Sequence, residues 1–330
     1  MANKTYFTKD GKIEIQLNFT DFWPGFDKTN NFFYNLLIEK YNVIISDKPD
    51  LLFYSTYSFN HINYSCTKVL FTGENERPDF MMCDFAFSYD YSSNKRNYRL
   101  PLYALYDNVT KLINRKIDAD YILKRKKKFC CFIVSNEGCN IRNNFFLNLS
   151  KYKQIDSGGK VFNNIGQLVE NKLDFIKDYK FVIAFENTSH PGYTTEKVFE
   201  PLQQNCIPIY WGNPLIGDDF NTKSFVNCHE YSSFDEVIKQ VIEIDKNDEL
   251  YMQYLNEPVF VNNKLNEFVK KENIVNRLDE IIAFHYNTKF KIRSKIRPLY
   301  FFLKTRIKKI RTSRIILKKI IRKLVHLISA

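Results

Sequence analysis

The chain has 330 residues, of which 44% are hydrophobic and 26% charged, with 30 Phe and 21 Tyr. This composition excludes an intrinsically disordered protein, because disordered chains lack the apolar residues that offset the entropy cost of ordering. At about 150 residues per domain, the length predicts two domains.

The basic residues are unevenly distributed along the chain. The formal net charge is +12, but 15 Lys and Arg and no acidic residue follow residue 288. The first 288 residues hold 34 basic and 37 acidic residues. Because this part of the chain is nearly neutral, a basic groove that follows nucleic acid is disfavoured, and we expect no nucleic-acid partner.

The cysteines and the N-terminus indicate where the protein works. Seven cysteines without a CxxC motif fit neither a disulfide framework nor a zinc site, and favour reduced cytosolic thiols. In the apolar run Phe129–Val134, Cys130 and Cys131 are expected to point to opposite faces of a strand. The first ten residues contain no apolar stretch, so we expect no signal peptide or membrane anchor there and a cytoplasmic protein.

The first third of the chain alternates short apolar runs with one helical pattern. Apolar residues at helical spacing predict a helix over Asn31–Tyr41. The basic run Ala119–Lys128 is interpreted as a crossing between domains, and a solvated helix face is favoured over a functional role for its lysines. The predicted strands are Lys12–Phe19, Val43–Ser46, Leu51–Ser55, Lys68–Thr72 and Phe85–Tyr89.

The second third predicts a regular strand–helix series. Its predicted strands are Phe129–Ser135, Phe181–Phe185 and Ile207–Trp211, and its predicted helices are Arg142–Tyr152, Ile165–Tyr179 and Thr195–Gln204. Such alternation is typical of a parallel sheet with helices on both faces. Ligands bind to these sheets beyond the carboxyl ends of the strands, so the loop after Phe185 is a candidate site.

This loop, FENTSHPGYTTEK from Phe185 to Lys197, is the most informative stretch of the sequence. It enters a helix at Thr194 or Thr195, and the free N–H groups of a helix N-terminus favour a phosphate. Lys197 adds a positive charge, and Glu196 could accept hydrogen bonds from sugar hydroxyls. On spacing alone, an ordinary helix cap fits equally well.

The motifs resemble those of the α1,3/4-fucosyltransferases of glycosyltransferase family 10. The run from Phe185 matches the family pattern FEN, then Y-x-TEK, a helix and P-[IV]-x-x-G. The resemblance covers roughly residues 60 to 235 in consistent order. Its other segments are Phe71–Asn75 (FTGEN), Ser135–Asn143 with Phe146, the turn Asp156–Gly159, Asp219–Asn221 and Ser224–Asn227.

The resemblance implies an α/β protein of GT-B architecture, with two Rossmann-like domains facing a cleft. Residues 1–122 would bind the acceptor, and residues 123–285 would bind GDP-fucose. Residues 286–330 lie outside the resemblance, and their own pattern predicts a C-terminal basic amphipathic helix that associates with a membrane. The implied reaction is inverting α1,3-transfer of L-fucose from GDP-β-L-fucose to the GlcNAc of an N-acetyllactosamine-type glycan. The product would be a Lewis-type antigen on a bacterial lipopolysaccharide O-antigen.

The resemblance also assigns roles to individual residues. Glu74 would be the general base, with Glu76, two residues on, as the alternative. Gly192 stands where animal members usually carry Asp. The residues implied in donor binding are Arg142 and Lys197 at the diphosphate, and Asn187, Tyr193 and Glu196 at the ribose, phosphate and fucose.

Two cations and a helix N-terminus can stabilise a leaving diphosphate, so no metal cofactor is expected to be required, and a divalent metal is an optional stimulant. Three alternatives remain open. They are α1,4-transfer, a GT-B transferase that uses another nucleotide sugar, and a non-catalytic protein that binds membrane or nucleic acid.

The C-terminal residues 299–328 predict a basic amphipathic helix. Apolar residues recur at spacings of three and four, and lysines and arginines take the other side. The recurring charges exclude a transmembrane span. We expect this helix to lie on an anionic surface, the inner face of the cytoplasmic membrane. The alternative is a helix that packs on the body or forms a coiled coil.

Overall fold

A computed structural model describes residues 11–106, 108–287, 297–298 and 300–306. The chain divides into two compact units. Unit 1 comprises Met1–Phe71, Pro78–Phe87 and Val275–Ala330, and unit 2 comprises Thr72–Arg77 and Ser88–Ile274. This boundary differs from the predicted division at residue 122, because residues 88–122 lie in unit 2. Glu74 therefore belongs to the same unit as the predicted donor-binding residues.

Within the described residues 11–88, five parallel strands and one α-helix lie wholly or almost wholly in unit 1. They are β1 (Glu14–Thr20), α1 (Phe32–Ile38), β2 (Asn42–Ile45), β3 (Leu51–Tyr54), β4 (Thr67–Phe71) and β5 (Phe85–Ser88). The strands follow the order β2-β1-β3-β4-β5. All five predicted strands are confirmed within two residues of their predicted ends.

Phenylalanines form the core of unit 1. Phe33 of α1 lies with its ring centroid 4.8 Å from Phe53, 5.4 Å from Phe71 and 5.1 Å from Phe87, on three different strands. Helical spacing in α1 directs Phe33 and Leu37 to this sheet, and both are buried. The amphipathic pattern that predicted α1 therefore also predicted the face by which it packs.

The C-terminal segment of the described chain packs on unit 1. Arg297 is buried, and its Nη2 donates to Oδ1 of Asp84 at 2.5 Å. Asp79 accepts hydrogen bonds from the Tyr300 hydroxyl and from the Lys304 ammonium. Residues 300–306 are helical, and the rest of the predicted helix 299–328 lies outside the described residues. No described helix has both the length and the apolar character needed to cross a bilayer.

Unit 2 holds a second parallel sheet. Its strands are β7 (Lys128–Phe132), β8 (Ile155–Ser157), β9 (Tyr179–Phe185), β10 (Ile207–Trp211) and β11 (Val226–Asn227), in the order β11-β10-β9-β7-β8. The short strand β6 (Asn97–Arg99) also lies within the residues of unit 2 but does not belong to this sheet. The helices are α2 (Ala119–Arg125), α3 (Asn140–Leu149), α4 (Lys172–Ile176), α5 (Glu196–Gln203), α6 (Phe234–Lys246), α7 (Asp248–Asn256) and α8 (Lys271–Asn287), which continues into unit 1.

The prediction of one helix over Ile165–Tyr179 is wrong, because only α4 (Lys172–Ile176) is an α-helix there. Gly166 has a φ of +81°, and the N–H of Val169 donates to the carbonyl of Gly158. Asn171 then caps α4 by accepting from the N–H of Asp174. The apolar residues of this stretch were taken for one helix face, but a glycine in left-handed conformation and a capping asparagine divide it.

All seven cysteines lie in the described part of the chain, where they are buried and not disulfide-bonded. Cys130 packs in the larger core of unit 2, whereas Cys131 packs in a separate cluster with Ile176 and Val182. The two neighbours thus point to opposite faces of β7, and burial raises the pKa of both thiols.

Candidate active site

The loop between β9 and α5 begins where β9 ends, at the carboxyl edge of the unit 2 sheet. Thr195 caps α5, and its side chain accepts from the N–H of Lys197. Gly192 has a φ of +84°, and a Cβ there would lie 2.3 Å from the carbonyl oxygen of Tyr89. The glycine at this position is therefore required by the close approach of the backbone, which leaves no room for a side chain.

Glu186, the first residue after β9, is the buried centre of this loop. Its Oε1 accepts from the N–H of Thr195 at 2.8 Å and from the Thr195 hydroxyl at 2.9 Å. Its Oε2 lies 3.2 Å from Nζ of Lys197. Burial raises the pKa of Glu186, although the Lys197 ammonium opposes this shift. The carboxylate therefore fixes the start of α5 through both the helix cap and the lysine.

Lys197 is surrounded by acceptors. Its Nζ donates to Oγ1 of Thr195 at 3.0 Å and lies 3.3 Å from Oε1 of Glu196. Burial alone would lower the pKa of Lys197, but the carboxylates of Glu186 and Glu196 raise it. With Glu186 included, three acceptors match the three N–H donors of an ammonium group. Lys197 is thus charged, and its charge is balanced by protein carboxylates.

Arg142, in the first turn of α3, has a different environment. Its guanidinium donates to the carbonyl of Phe185 at 3.2 Å, to Oδ1 of Asn187 at 3.0 Å and to the carbonyl of Asn136 at 2.7 Å. Within the described residues it makes no ion pair, and its Nε has no hydrogen-bond partner. Burial lowers the pKa of Arg142. Its positive charge is therefore not compensated by a contacting carboxylate.

Tyr193 lies in the loop between β9 and α5. It is buried, and its ring centroid is 5.0 Å from that of Tyr89. Burial, Glu186 and Glu74 all raise the pKa of its phenol. Tyr193 and Glu74 belong to the same unit, and Asn75, next to Glu74, bonds to Thr188 in the loop that holds Tyr193.

Hydrogen bonds of Thr72 and Asn75 hold the backbone around Glu74 in place. The N–H of Glu74 donates to Oγ1 of Thr72 at 3.2 Å, and the Nδ2 of Asn75 donates to Oγ1 of Thr188 at 2.6 Å. Thr188 belongs to the loop after β9, so Asn75 ties the two segments together. The side chains of Glu74 and Glu76 are both exposed.

The predicted site residues therefore fall into groups. Arg142 contacts Asn187, and Lys197 contacts Glu196, whereas Tyr193 and Glu74 interact through charge rather than by a hydrogen bond. Sequence reasoning missed Glu186, which stood inside the FEN motif but had been given no role. It also missed Asn213. The Oδ1 of Asn213 accepts a hydrogen bond from the N–H of Gly192 at 2.7 Å, and its Nδ2 donates to Oγ1 of Thr194 at 3.0 Å.

Comparison with known proteins identifies the family. A family model described as the N-terminal domain of α-(1,3)-fucosyltransferase FucT matches residues 17–106. A second, described as the C-terminal part of glycosyltransferase family 10 (fucosyltransferase), matches residues 123–282. The chain belongs to the glycosyltransferase family 10 fucosyltransferases.

Individual relatives agree with this assignment. The chain is similar to the α-(1,3)-fucosyltransferase FucT of Helicobacter pylori, with 32% identity over 79% of this chain and 60% of that protein. It is also similar to the human 4-galactosyl-N-acetylglucosaminide 3-α-L-fucosyltransferase 9, with 32% identity over 40% of this chain and 37% of that protein. The chain thus spans less than two thirds of the length of these relatives.

A solved structure confirms the fold class. An α1,3-fucosyltransferase crystallised with GDP-fucose matches 87% of this chain and 95% of its own, with 25% identity and a TM-score of 0.69. The two parallel sheets with their helices are accordingly an α/β fold consistent with the GT-B architecture that the sequence predicted.

Proposed function

We propose that this family 10 member is an inverting α1,3-fucosyltransferase. It would transfer L-fucose from GDP-β-L-fucose to the GlcNAc of an N-acetyllactosamine-type glycan. The observation that carries the proposal is the environment of Arg142, a buried guanidinium with carbonyl and amide partners and one unused N–H, at the carboxyl end of β9. A diphosphate would supply the negative charge that this site lacks.

The residues suggest a single displacement. Glu74 accepts the proton of the acceptor hydroxyl while that oxygen bonds to C1 of fucose. The bond between C1 and the diphosphate oxygen breaks in the same step, which converts a β-linked donor into an α-linked product. Arg142 and the N–H groups at the start of α5 stabilise the charge that grows on the departing GDP. Glu196, charged because Lys197 and Lys172 lower its pKa against the effect of burial, accepts hydrogen bonds from the sugar.

In this mechanism, protein groups stabilise the charge that develops on the leaving diphosphate. We therefore propose that no metal is required and that a divalent metal at most stimulates transfer. Chelator should leave transfer measurable. Loss of all transfer in EDTA, restored by Mg²⁺ or Mn²⁺, would contradict this part of the proposal.

The acceptor and the setting are further proposals. The similarity to the Helicobacter pylori α-(1,3)-fucosyltransferase FucT and to the human 4-galactosyl-N-acetylglucosaminide 3-α-L-fucosyltransferase 9 supports α1,3-transfer to a galactosyl-N-acetylglucosaminide. A Lewis-type antigen on bacterial lipopolysaccharide would then be the product. The 15 basic residues after residue 288 support a peripheral position at the inner face of the cytoplasmic membrane, with residues 299–328 on the anionic surface.

A donor panel tests the function. Purified protein is incubated with GDP-fucose, GDP-mannose or UDP-galactose, without acceptor, with N-acetyllactosamine or with the type 1 disaccharide Galβ1,3GlcNAc, and the products are analysed by mass spectrometry and NMR. Of the three donors, we expect only GDP-fucose to be consumed, and we expect the product to contain an α1,3 linkage. Turnover of another donor, an α1,4 linkage on a type 1 chain, or no turnover would each support one of the three alternatives.

A further inference from the structure

Two exposed aromatic side chains lie together at the surface of unit 1. Trp23 is 40% exposed and Tyr57 is 52% exposed, and their ring centroids are 6.3 Å apart. Trp23 is in the loop after β1 and Tyr57 is in the loop after β3, and β1 and β3 are neighbours in the sheet. Exposed large apolar groups that cluster in this way mark a binding surface more often than isolated ones do.

A buried carboxylate holds both loops in place. Asp21, directly after β1, has a φ of +61° and accepts at 2.8 Å from the N–H of Asn60 and at 2.9 Å from that of His61. It also accepts from Nδ1 of His61 at 2.7 Å, while its backbone carbonyl accepts from the N–H of Tyr57 at 3.0 Å. The loop after β1 is thereby tied to the loop after β3, so the aromatic pair stands on a rigid base.

Trp23 is also supported from within its own loop. Its ring centroid lies 5.1 Å from that of Phe26 and 5.6 Å from that of Phe22, and these two rings stack at 4.0 Å. An indole held by two rings and a neighbouring phenol loses little conformational freedom when a ligand binds, which favours affinity.

We propose that Trp23 and Tyr57 bind a pyranose ring of the acceptor glycan. Aromatic rings have electron-rich faces, which suit the C–H groups that a pyranose exposes. The pair lies beyond the carboxyl ends of parallel strands, where α/β sheets bind their ligands. This inference rests on the proposed function, which requires a sugar acceptor.

The neighbouring sequence favours a sugar over a lipid or protein surface. The same two loops carry exposed polar side chains, Asp27, Lys28 and Asn60, which can bond to hydroxyl groups.

A binding experiment tests the proposal without relying on turnover. The chain has two tryptophans, Trp23 and Trp211. Titration with N-acetyllactosamine should change the fluorescence of the full chain and of the Trp211→Phe variant, but not of Trp23→Phe. A change that persists in Trp23→Phe, or that is absent from Trp211→Phe, would overturn the proposal. A response of Trp23 to anionic vesicles and not to the disaccharide would assign the surface to lipid and overturn it too.

Kinetics separate this inference from the proposed function. Trp23→Ala and Tyr57→Ala should each raise the KM for N-acetyllactosamine about tenfold with little change in kcat, because they remove binding that is equal in ground and transition states. Trp23→Phe should retain most of the acceptor affinity. Hydrolysis of GDP-fucose without acceptor should match the parent in all three variants.

The control is Tyr121→Ala, which removes an aromatic ring that is 61% exposed on α2 of unit 2. Its acceptor KM should equal that of the parent. Normal hydrolysis with an unchanged acceptor KM in Trp23→Ala would overturn the inference alone. Absence of fucose transfer by the parent would instead count against the proposed function, and the disaccharide titration would still test the aromatic pair.

Discussion

The carboxylate of Glu186 lies 3.2 Å from the ammonium of Lys197, and the same carboxylate accepts from the backbone and hydroxyl of Thr195. Glu186 is fully buried, so these contacts replace the water that it loses. The lysine at the start of α5 is therefore positioned by a residue at the end of β9. Any change that displaces Glu186 should also displace the helix cap.

Gly212→Ala tests this relationship. A Cβ at residue 212 would lie 2.4 Å from Cγ of Glu186 and 3.0 Å from the hydroxyl of Tyr210. Overpacking of this kind costs about 1–3 kcal/mol, and Glu186 cannot yield without leaving Thr195. We expect a lower melting temperature and GDP binding weakened about tenfold, measured by calorimetry. Gly217→Ala is the matched control, since its Cβ would meet only Thr222 at 3.6 Å. Parent-like GDP affinity in Gly212→Ala would show that Glu186 does not position the donor site.

Glu74→Gln should lower kcat about 100-fold or more while GDP affinity stays near that of the parent. A general base contributes roughly 10²–10⁴-fold to the rate, and this exposed side chain is not among the groups proposed to hold the nucleotide. Initial rates with saturating donor and calorimetry with GDP measure the two effects. Glu76→Gln, two residues along and equally exposed, should remain active. The reverse pattern would assign the base to Glu76.

Arg142→Ala should weaken GDP binding more than Lys197→Ala does. Arg142 contacts only carbonyl and amide oxygens, whereas the charge of Lys197 is balanced by Glu186 and Glu196. A charged hydrogen bond contributes about 1.5–3 kcal/mol, which corresponds to about a tenfold to hundredfold loss for Arg142→Ala. Both variants should also transfer fucose more slowly. Lys239→Ala, an exposed lysine on α6, serves as the control. Unchanged GDP affinity in both test variants would contradict the proposed donor site.

The sequence predicted the strands better than the helices. Ile207–Trp211 is correct at both ends, because its apolar run is bounded by a polar segment and a glycine. The helix predicted over Ile165–Tyr179 failed because apolar spacing does not reveal the left-handed φ of Gly166 or the cap at Asn171. The packing of Arg297 on unit 1 was also beyond the sequence, since its partner Asp84 lies more than two hundred residues earlier.

The candidate site was predicted in part. The resemblance pointed to Arg142 and Lys197 by their place in motifs, and both lie at the carboxyl edge of the unit 2 sheet. It did not distinguish a cation balanced by carboxylates from one that is not, because that difference depends on burial and on contacts across the fold. Glu186 was missed for the same reason, since a glutamate at a strand end gives no signal in the sequence that it is buried.

Asp21→Asn should reduce stability at neutral pH and the reduction should disappear in acid. Burial opposes ionisation of Asp21, but hydrogen bonds from His61, Ser58 and Asn60 lower its pKa from 3.8 to about 2. A lowered folded-state pKa contributes stability that is fully present above pH 4 and is lost as the pH falls toward 2, roughly 2 kcal/mol here. Urea unfolding at pH 6, 4 and 3 should therefore show a shrinking difference between parent and variant. Asp120→Asn, at an exposed residue, should show no such trend, and a difference independent of pH would contradict this role for Asp21.

Two truncations separate the structural and membrane roles of the C-terminal residues. A chain that ends at residue 306 keeps the buried pair of Arg297 with Asp84 and the contacts of Asp79 with Tyr300 and Lys304, whereas a chain that ends at residue 285 loses them. Removal of one partner of a buried ion pair costs about 3–5 kcal/mol, so we expect only the shorter chain to melt at lower temperature and lose transfer to soluble acceptors. Arg297→Ala in the full chain should reproduce this loss of stability.

Both truncations should abolish binding to anionic vesicles. In the parent this binding should weaken with salt, because each basic residue contributes about 1 kcal/mol and is screened over about 10 Å. Vesicle binding that survives in the 306-residue chain would place the membrane contact before residue 307, and a stable, active 285-residue chain would show that unit 1 does not need Arg297.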